Sequence, residues 1–178
     1  LWAASEDDIY IQFILMCIYC GCRCGEMAKV KKVDVMLDKN CFWVQKGKTK
    51  SARRAVPIHK KTKKFFENWM NLNDSDYLIT RYDGKNIRFS SDHNGFVETY
   101  WIPTLKSLGI YNYVRENGDK AVHYPHDVRT TFSTRWADQG LDQTLRKKIQ
   151  GHSTGDVGID VYTKPFIATL VKEINKLK

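Results

Sequence analysis

The sequence has no apolar run that approaches the length of a membrane span. Its longest, around Ile9–Tyr19, is broken by Gln12 and fits a buried helix. Its first residues carry no secretory leader pattern, and the chain has neither internal repeats nor a low-complexity linker. Also missing is the spacing of a structural zinc site, in which two CxxC pairs are separated by a loop. Four of the five cysteines crowd into CIYCGCRC (17–24), and the fifth, Cys41, stands apart. Cys17 and Cys20 are expected on the buried face of a first helix as small apolar residues, and no metal is expected.

Acidic residues are scarce where basic ones cluster. Lys and Arg number 29 against 20 Asp and Glu, a net charge of +9. The excess sits in Lys29–Lys32, Lys46–Arg54, Lys60–Lys64 and Arg146–Lys148, with almost no acid between the basic residues of each patch. One such patch could be a solvated face. Four together favour a polyanionic partner, nucleic acid above all.

At 178 residues the chain can build one domain with a substantial core. It begins without methionine and enters a helix almost at once, so it is expected to be a piece of something longer. The pattern predicts a helix capped at Ser5, followed by Glu6, Asp7 and Asp8, and stopped by Gly21. A short helix covers 24–30, and strands 41–46 and 53–58 flank the lysine-rich turn GKTKSA. Further helices are expected over 60–71, from Ser90–Ser91 to about Leu108, from His126 to Gly140, over 142–150, and in the tail from Phe166 to Leu177. DYLIT (76–80) reads as a short strand or extended piece, and 109–123 as loop. The fold class is α+β, mostly helical with a small antiparallel sheet.

Six polar residues make chemical sense together. His126 and Arg129, in HDVR, project from one helix face at i, i+3. His152 sits at a helix-breaking glycine in QGHS, and Tyr162 in VYTK stands between Asp160 and Lys164. Arg23 follows a helix-ending glycine, and Lys48 lies at the tip of a basic hairpin. Two guanidinium forks match phosphate oxygens and can neutralise a pentacoordinate transition state. A tyrosine hydroxyl needs a base and a cationic field before it can attack, and histidine can take its proton near neutral pH. A mobile lysine can protonate the departing oxygen. The set needs no metal.

In this order GCRCGE, GKTKSARRAVPI, HDVRTTF, GHS and VYTK resemble the catalytic domain of tyrosine recombinases, the phage-integrase family, over nearly the whole chain. The flavour is that of integrases of conjugative transposons and temperate phages. The resemblance implies that Arg23 and Arg129 bind the scissile phosphate of double-stranded DNA. Tyr162 becomes the nucleophile that forms a 3′-phosphotyrosyl bond and releases a 5′-hydroxyl. Lys48 is the general acid, His126 assists proton transfer at the tyrosine, and His152 hydrogen-bonds the phosphate. The hairpin is one residue longer than in some members, so Lys50 is an alternative acid, with Lys48 preferred. Lys50, Arg53 and Arg54 are expected to touch backbone phosphate. Glu26 either orients Arg23 by a salt bridge or simply suits the first turn of its helix.

The resemblance further implies a bacterial or phage-encoded protein of the cytoplasm that works without cofactor or ATP. It implies a homotetramer on DNA in which the tail helix docks on a neighbouring protomer, although the tail could also fold back on its own domain. Rival readings are a DNA-binding relative that lost catalysis, a type IB topoisomerase or telomere resolvase, and a cysteine-based metal protein. His59, His93 and His123 are expected to be structural. Phe96, Tyr100 and Trp101 are expected in the core, and Trp43 and Trp69 are expected to serve packing, with a place near DNA as the alternative for either.

Overall fold

A computed structural model of the chain describes residues 1–45, 53–87, 95–152 and 167–178, with helix α1 (Ile9–Cys20) at its centre. α1 is apolar on every side and almost wholly buried, as a helix surrounded by other elements must be. Its cap is Asp8, whose carboxylate accepts from the Tyr10 N–H at 2.7 Å. The expected cap, Ser5, is instead buried one turn earlier, where its hydroxyl donates to the Trp2 carbonyl. Gly21 ends the helix in the left-handed region (φ 65°), and its N–H returns to the Cys17 carbonyl. A Cβ there would lie 2.7 Å from the Phe132 ring, so both backbone conformation and space require glycine.

α2 (Cys24–Met27) follows at once and is shorter than the spacing suggested. β1 (Val35–Met36), β2 (Cys41–Val44) and β3 (Arg54–Pro57) form an antiparallel sheet in the order β1-β2-β3, with Phe42 opposite Val56 and Val44 opposite Arg54. Phe42, Val44 and Val56 face the core, while Trp43 is 37% exposed. A 3₁₀ turn (Lys60–Thr62) leads into α3 (Lys63–Asn71), which buries Phe65, Phe66 and Trp69. Residues 76–80 form no strand. Tyr77 makes one bridge to Lys31 and Thr80 one to Asn86.

The next helix opens as a π-helical turn (Val97–Trp101) and continues as α4 (Ile102–Ser107); its expected cap at 90–91 lies outside the described residues. Phe96, Trp101 and Leu105 are buried, and the Tyr100 ring lies 4.1 Å from that of Tyr10. The stretch expected as loop contains a hairpin, β4 (Asn112–Val114) and β5 (Lys120–Val122). Its turn runs from Arg115, whose carbonyl accepts from the Gly118 N–H at 2.9 Å, to Gly118 at φ 86°, a signal that the polar composition of 115–119 obscured. Trp101 Nε1 donates to the His123 carbonyl at 2.7 Å and ties the hairpin to the core.

α5 (Asp127–Asp138) packs against α1 through Val128, Phe132 and Trp136. α6 (Gln143–Gln150) is capped by the Asp142 carboxylate and ended by Gly151 at φ 67°. α7 (Ile167–Ile174) lies over β3 and α6 of its own chain, and Leu170, Ile174 and Leu177 are buried there. His59 fixes its end: Nε2 donates to the Leu177 carbonyl at 2.9 Å while Nδ1 accepts from the Lys61 N–H. In the single chain the tail stripe is covered in cis, by β3 and α6. Phe166 lies outside the described residues. Among the described residues no helix is long and apolar enough to cross a membrane.

Burying each of the large rings of this core, such as Phe13, Phe66, Trp69 and Trp136, stabilises by roughly 1.5–3 kcal/mol. Cys17, Cys20, Cys22 and Cys24 belong to the same core, as expected for Cys17 and Cys20. Burial pushes the Cys22 thiol up to about 12 and that of Cys20 higher still, so both remain protonated.

Candidate active site

Three turns meet at one place: the α1–α2 turn with Arg23, the start of α5 with His126 and Arg129, and the α6 terminus with Gly151 and His152. Glu26 lies where they converge. One turn beyond Arg23 on α2, it accepts from the Arg23 N–H at 3.1 Å and pairs with Arg23 Nη1 at 3.1 Å. The Arg23 Nη1 contact is to Oε1, while Oε2, which takes the Arg23 N–H, also takes Arg54 Nη2 at 2.9 Å and lies 3.8 Å from Arg129 Nη1. Both readings of Glu26 therefore hold, because it orients Arg23 and also suits the N-terminal turn. Burial would raise its carboxyl, but the hydrogen bond and charge of Arg54, with the Arg23 amide and Arg129, hold it below the usual carboxylate range.

Arg129 is buried among acceptors. Nη1 donates to the Gly21 carbonyl at 2.9 Å, and Nη2 donates to the Gln150 carbonyl and to His152 Nε2, the latter at 2.8 Å. Burial, and then the like charge of Arg23, lower its guanidinium to about 10, so it stays cationic at neutral pH. A ring nitrogen that accepts from a guanidinium carries no proton, so His152 holds its proton on Nδ1. Burial, then Arg129 and Arg23, lower its pKa in agreement with this neutral state. Three guanidinium groups and one carboxylate leave a charge of +2 (3 − 1) around a site to which Arg23 presents a half-exposed side chain. Such a place attracts an anion with two or three oxygens.

The structure thus gathers Arg23, Arg129 and His152. His126, at the N-terminal end of α5, is exposed, and among the described residues no side-chain hydrogen bond joins it to that trio. Lys48, Lys50 and Tyr162 lie outside the described residues. Arg53 is exposed at the start of β3. Arg54 differs from expectation. Its side chain turns inward, 8% exposed, and Nε donates to the Ile149 carbonyl at 2.6 Å while the guanidinium pairs with Glu26. Strand alternation explains the divergence, since successive side chains at 53 and 54 point to opposite faces. A Cβ at Gly151 would lie 2.9 Å from Arg54 Nη1, so the turn that carries His152 rests directly on this arginine.

The phage integrase family model matches residues 3–166, a stretch that includes these three turns. The chain belongs to the phage integrase family. The transposase from transposon Tn916 of Enterococcus faecalis is 27% identical over 146 residues, covering 76% of this chain and 34% of the transposase. The ICEBs1 integrase of Bacillus subtilis (strain 168) is 28% identical over 174 residues, covering 89% of this chain and 45% of that integrase. The chain therefore spans half or less of the length of these two curated relatives. Among solved structures, the Tn1549 transposon integrase in complex with circular intermediate DNA matches with a TM-score of 0.67 at 16% identity, over 99% of this chain and 63% of that one. XerA recombinase matches with a TM-score of 0.61 at 22% identity, over 99% and 54%. The shared fold is that of the tyrosine-recombinase catalytic domain, α+β and mostly helical.

Sequence reasoning did not place the inward role of Arg54 or any role for Gln150. An amide at the position before Gly151-His152, beside apolar Ile149, was the available signal for the latter.

Proposed function

We propose that the chain is the catalytic domain of a site-specific DNA recombinase that cuts and rejoins strands through a 3′-phosphotyrosyl intermediate, and so integrates or excises a mobile element. The observation that supports this reading is the convergence of Arg23 and Arg129 on Glu26, with His152 bonded to Arg129. Arg23 and Arg129 hold the scissile phosphate and neutralise charge that builds on its oxygens in the transition state. His152 adds a hydrogen bond to the same phosphate. The Tyr162 oxygen attacks phosphorus, forming the P–O bond to tyrosine as the bond to the 5′ oxygen breaks. The tyrosine proton passes to His126, and Lys48, or Lys50 in its place, protonates the leaving 5′ oxygen. The phosphodiester energy is kept in the new ester, so religation to another strand needs no nucleotide triphosphate.

Arg53 and the outward lysines would position the duplex by its backbone, without reading sequence. On two duplexes the protein would act as a homotetramer. In that assembly α7 would make with a neighbour the contacts it makes here with β3 and α6 of its own chain. The test is to capture covalent adducts from a random pool of nicked duplexes, which trap a cleaved strand, and to resolve them on a denaturing gel. Adducts that vanish in Tyr162→Phe and persist in chelator support the reading. Undiminished adducts in that variant would refute it.

A further inference from the structure

Gln150 is fully buried, yet each polar group it carries has a partner. Its main-chain carbonyl accepts from Arg129 Nη2. Its side-chain nitrogen donates to the Arg129 carbonyl at 3.3 Å and to Ser133 Oγ at 3.0 Å. Its side-chain oxygen accepts from Arg146 Nη1 at 2.9 Å, and the same Nη1 donates to Ser133 Oγ at 3.2 Å. One residue thus grips Arg129 at both ends, by its guanidinium and by its backbone. Ser133, one turn along α5, and Arg146, one turn back on α6, hold the gripping amide in place.

We propose that Gln150 is a positioning residue for Arg129, and that Arg146 loads it, so that the α5–α6 angle and the aim of the Arg129 guanidinium are fixed together. The proposal rests on the recombinase reading and deepens it. Several physical points favour it. A glutamine amide has a rotatable side chain of its own and would not stay in one orientation inside a protein unless its donors and acceptor were all engaged. Here they are engaged by three residues from the two helices that meet at the site. Arg129 itself has little slack, because its two terminal nitrogens already serve Gly21, Gln150 and His152. A shift of α6 relative to α5 would move the Gln150 carbonyl and His152 together, and with them the guanidinium. Arg146 is half-buried and belongs to the basic run 146–148, so this strap reaches from the surface of α6 to the buried arginine.

The test uses nicked duplexes selected by covalent capture on the unmodified chain. Binding and adduct formation at saturating DNA are then measured for Gln150→Met, Ser133→Ala, Arg146→Ala and the pairwise doubles. Methionine keeps the volume of glutamine and removes its side-chain hydrogen bonds, leaving the main-chain carbonyl that Arg129 Nη2 meets. The proposal expects Gln150→Met to change Kd by less than about 3-fold while adduct formation at saturation slows by about 10-fold or more, since misaiming a phosphate-binding group acts mainly in the transition state. Ser133→Ala, a small change that leaves the core packed, should show the same split with a smaller loss. Gln150→Met and Arg146→Ala should be strongly non-additive, the double losing little beyond the worse single. Wild-type rates in Gln150→Met and Ser133→Ala would overturn the proposal and leave the recombinase reading standing. So would losses that appear only in Kd, or losses that add independently. Failure of the unmodified chain to yield any Tyr162-dependent adduct would overturn the reading, and this proposal with it.

Discussion

Replacing Glu26 by glutamine removes one charge and almost no volume from the centre of the site. With the carboxylate, the cluster of Arg23, Arg54 and Arg129 carries +2; with the amide it carries +3. The Glu26 side chain is 11% exposed, and those of Arg54 and Arg129 are 8% and 3% exposed, so water does little to screen the repulsion that remains. Removing one partner of a buried pair costs about 3–5 kcal/mol, and because the Arg23 end of this cluster is half exposed we expect Glu26→Gln to cost about 2–4 kcal/mol. With a urea slope on the order of 2 kcal/mol per molar, the unfolding midpoint should fall by about 1–2 M. A second signature follows from the depressed carboxyl of Glu26. A carboxyl whose folded pKa lies below its unfolded value contributes stability that is present above the unfolded value and is lost as pH falls through the folded one. Stability of the unmodified chain should therefore drop on the acid side of about pH 4.5, and Glu26→Gln should flatten that limb. Sulfate, which can stand in for the lost charge, should rescue the variant more than the parent. A midpoint shift under about 0.3 M, with an acid limb unchanged, would refute the view that Glu26 organises the three arginines.

Gly21→Ala should destabilise by about 2–4 kcal/mol, summing a left-handed backbone penalty and a clash with Phe132, as read in the same urea titration; an effect below about 1 kcal/mol would contradict the geometry. His59 is neutral because burial lowers its pKa to about 4 while it donates to the Leu177 carbonyl. Its folded pKa lies below the unfolded value of about 6.5, so the stability it provides is complete above that pH and is lost as pH falls toward 4. Amide protection factors along 167–177 should fall selectively over that window, and His59→Phe should weaken the pH dependence. Equal protection of the tail at pH 7 and pH 4.5 would speak against this anchor.

Much of the fold was legible because it follows from local chemistry. The glycine at 21 and the helix signals at 126–140 and 142–150 each act within a few residues, and helices are present there at Asp127–Asp138 and Gln143–Gln150. Where local signals competed, the boundaries moved. Ser5 offered a hydroxyl cap, but Asp8 lies nearer the first buried turn and its carboxylate binds the Tyr10 amide. Residues 112–122 read as loop by composition, although a turn ending in left-handed Gly118 closes them into a hairpin. The apolar face of 166–177 was evident, but periodicity names no surface to cover it; His59, β3 and α6 do so within the same chain.

For the site, the sequence by itself determined residue types, order and net charge: two arginines, a glycine-set histidine and basic patches suited to a phosphodiester, in the order of the phage integrase family. Only the tertiary structure decided which of these groups share an environment. Arg53 and Arg54 are neighbours in the chain, yet one faces solvent and the other braces Glu26, because a pleated strand sends them to opposite faces. Gln150 gains its grip on Arg129 because α5 and α6 cross where they do. Charge and hydrogen bonding act through space over a few ångströms, and residues 23, 26, 54, 129, 150 and 152 come within that range only once the chain has folded.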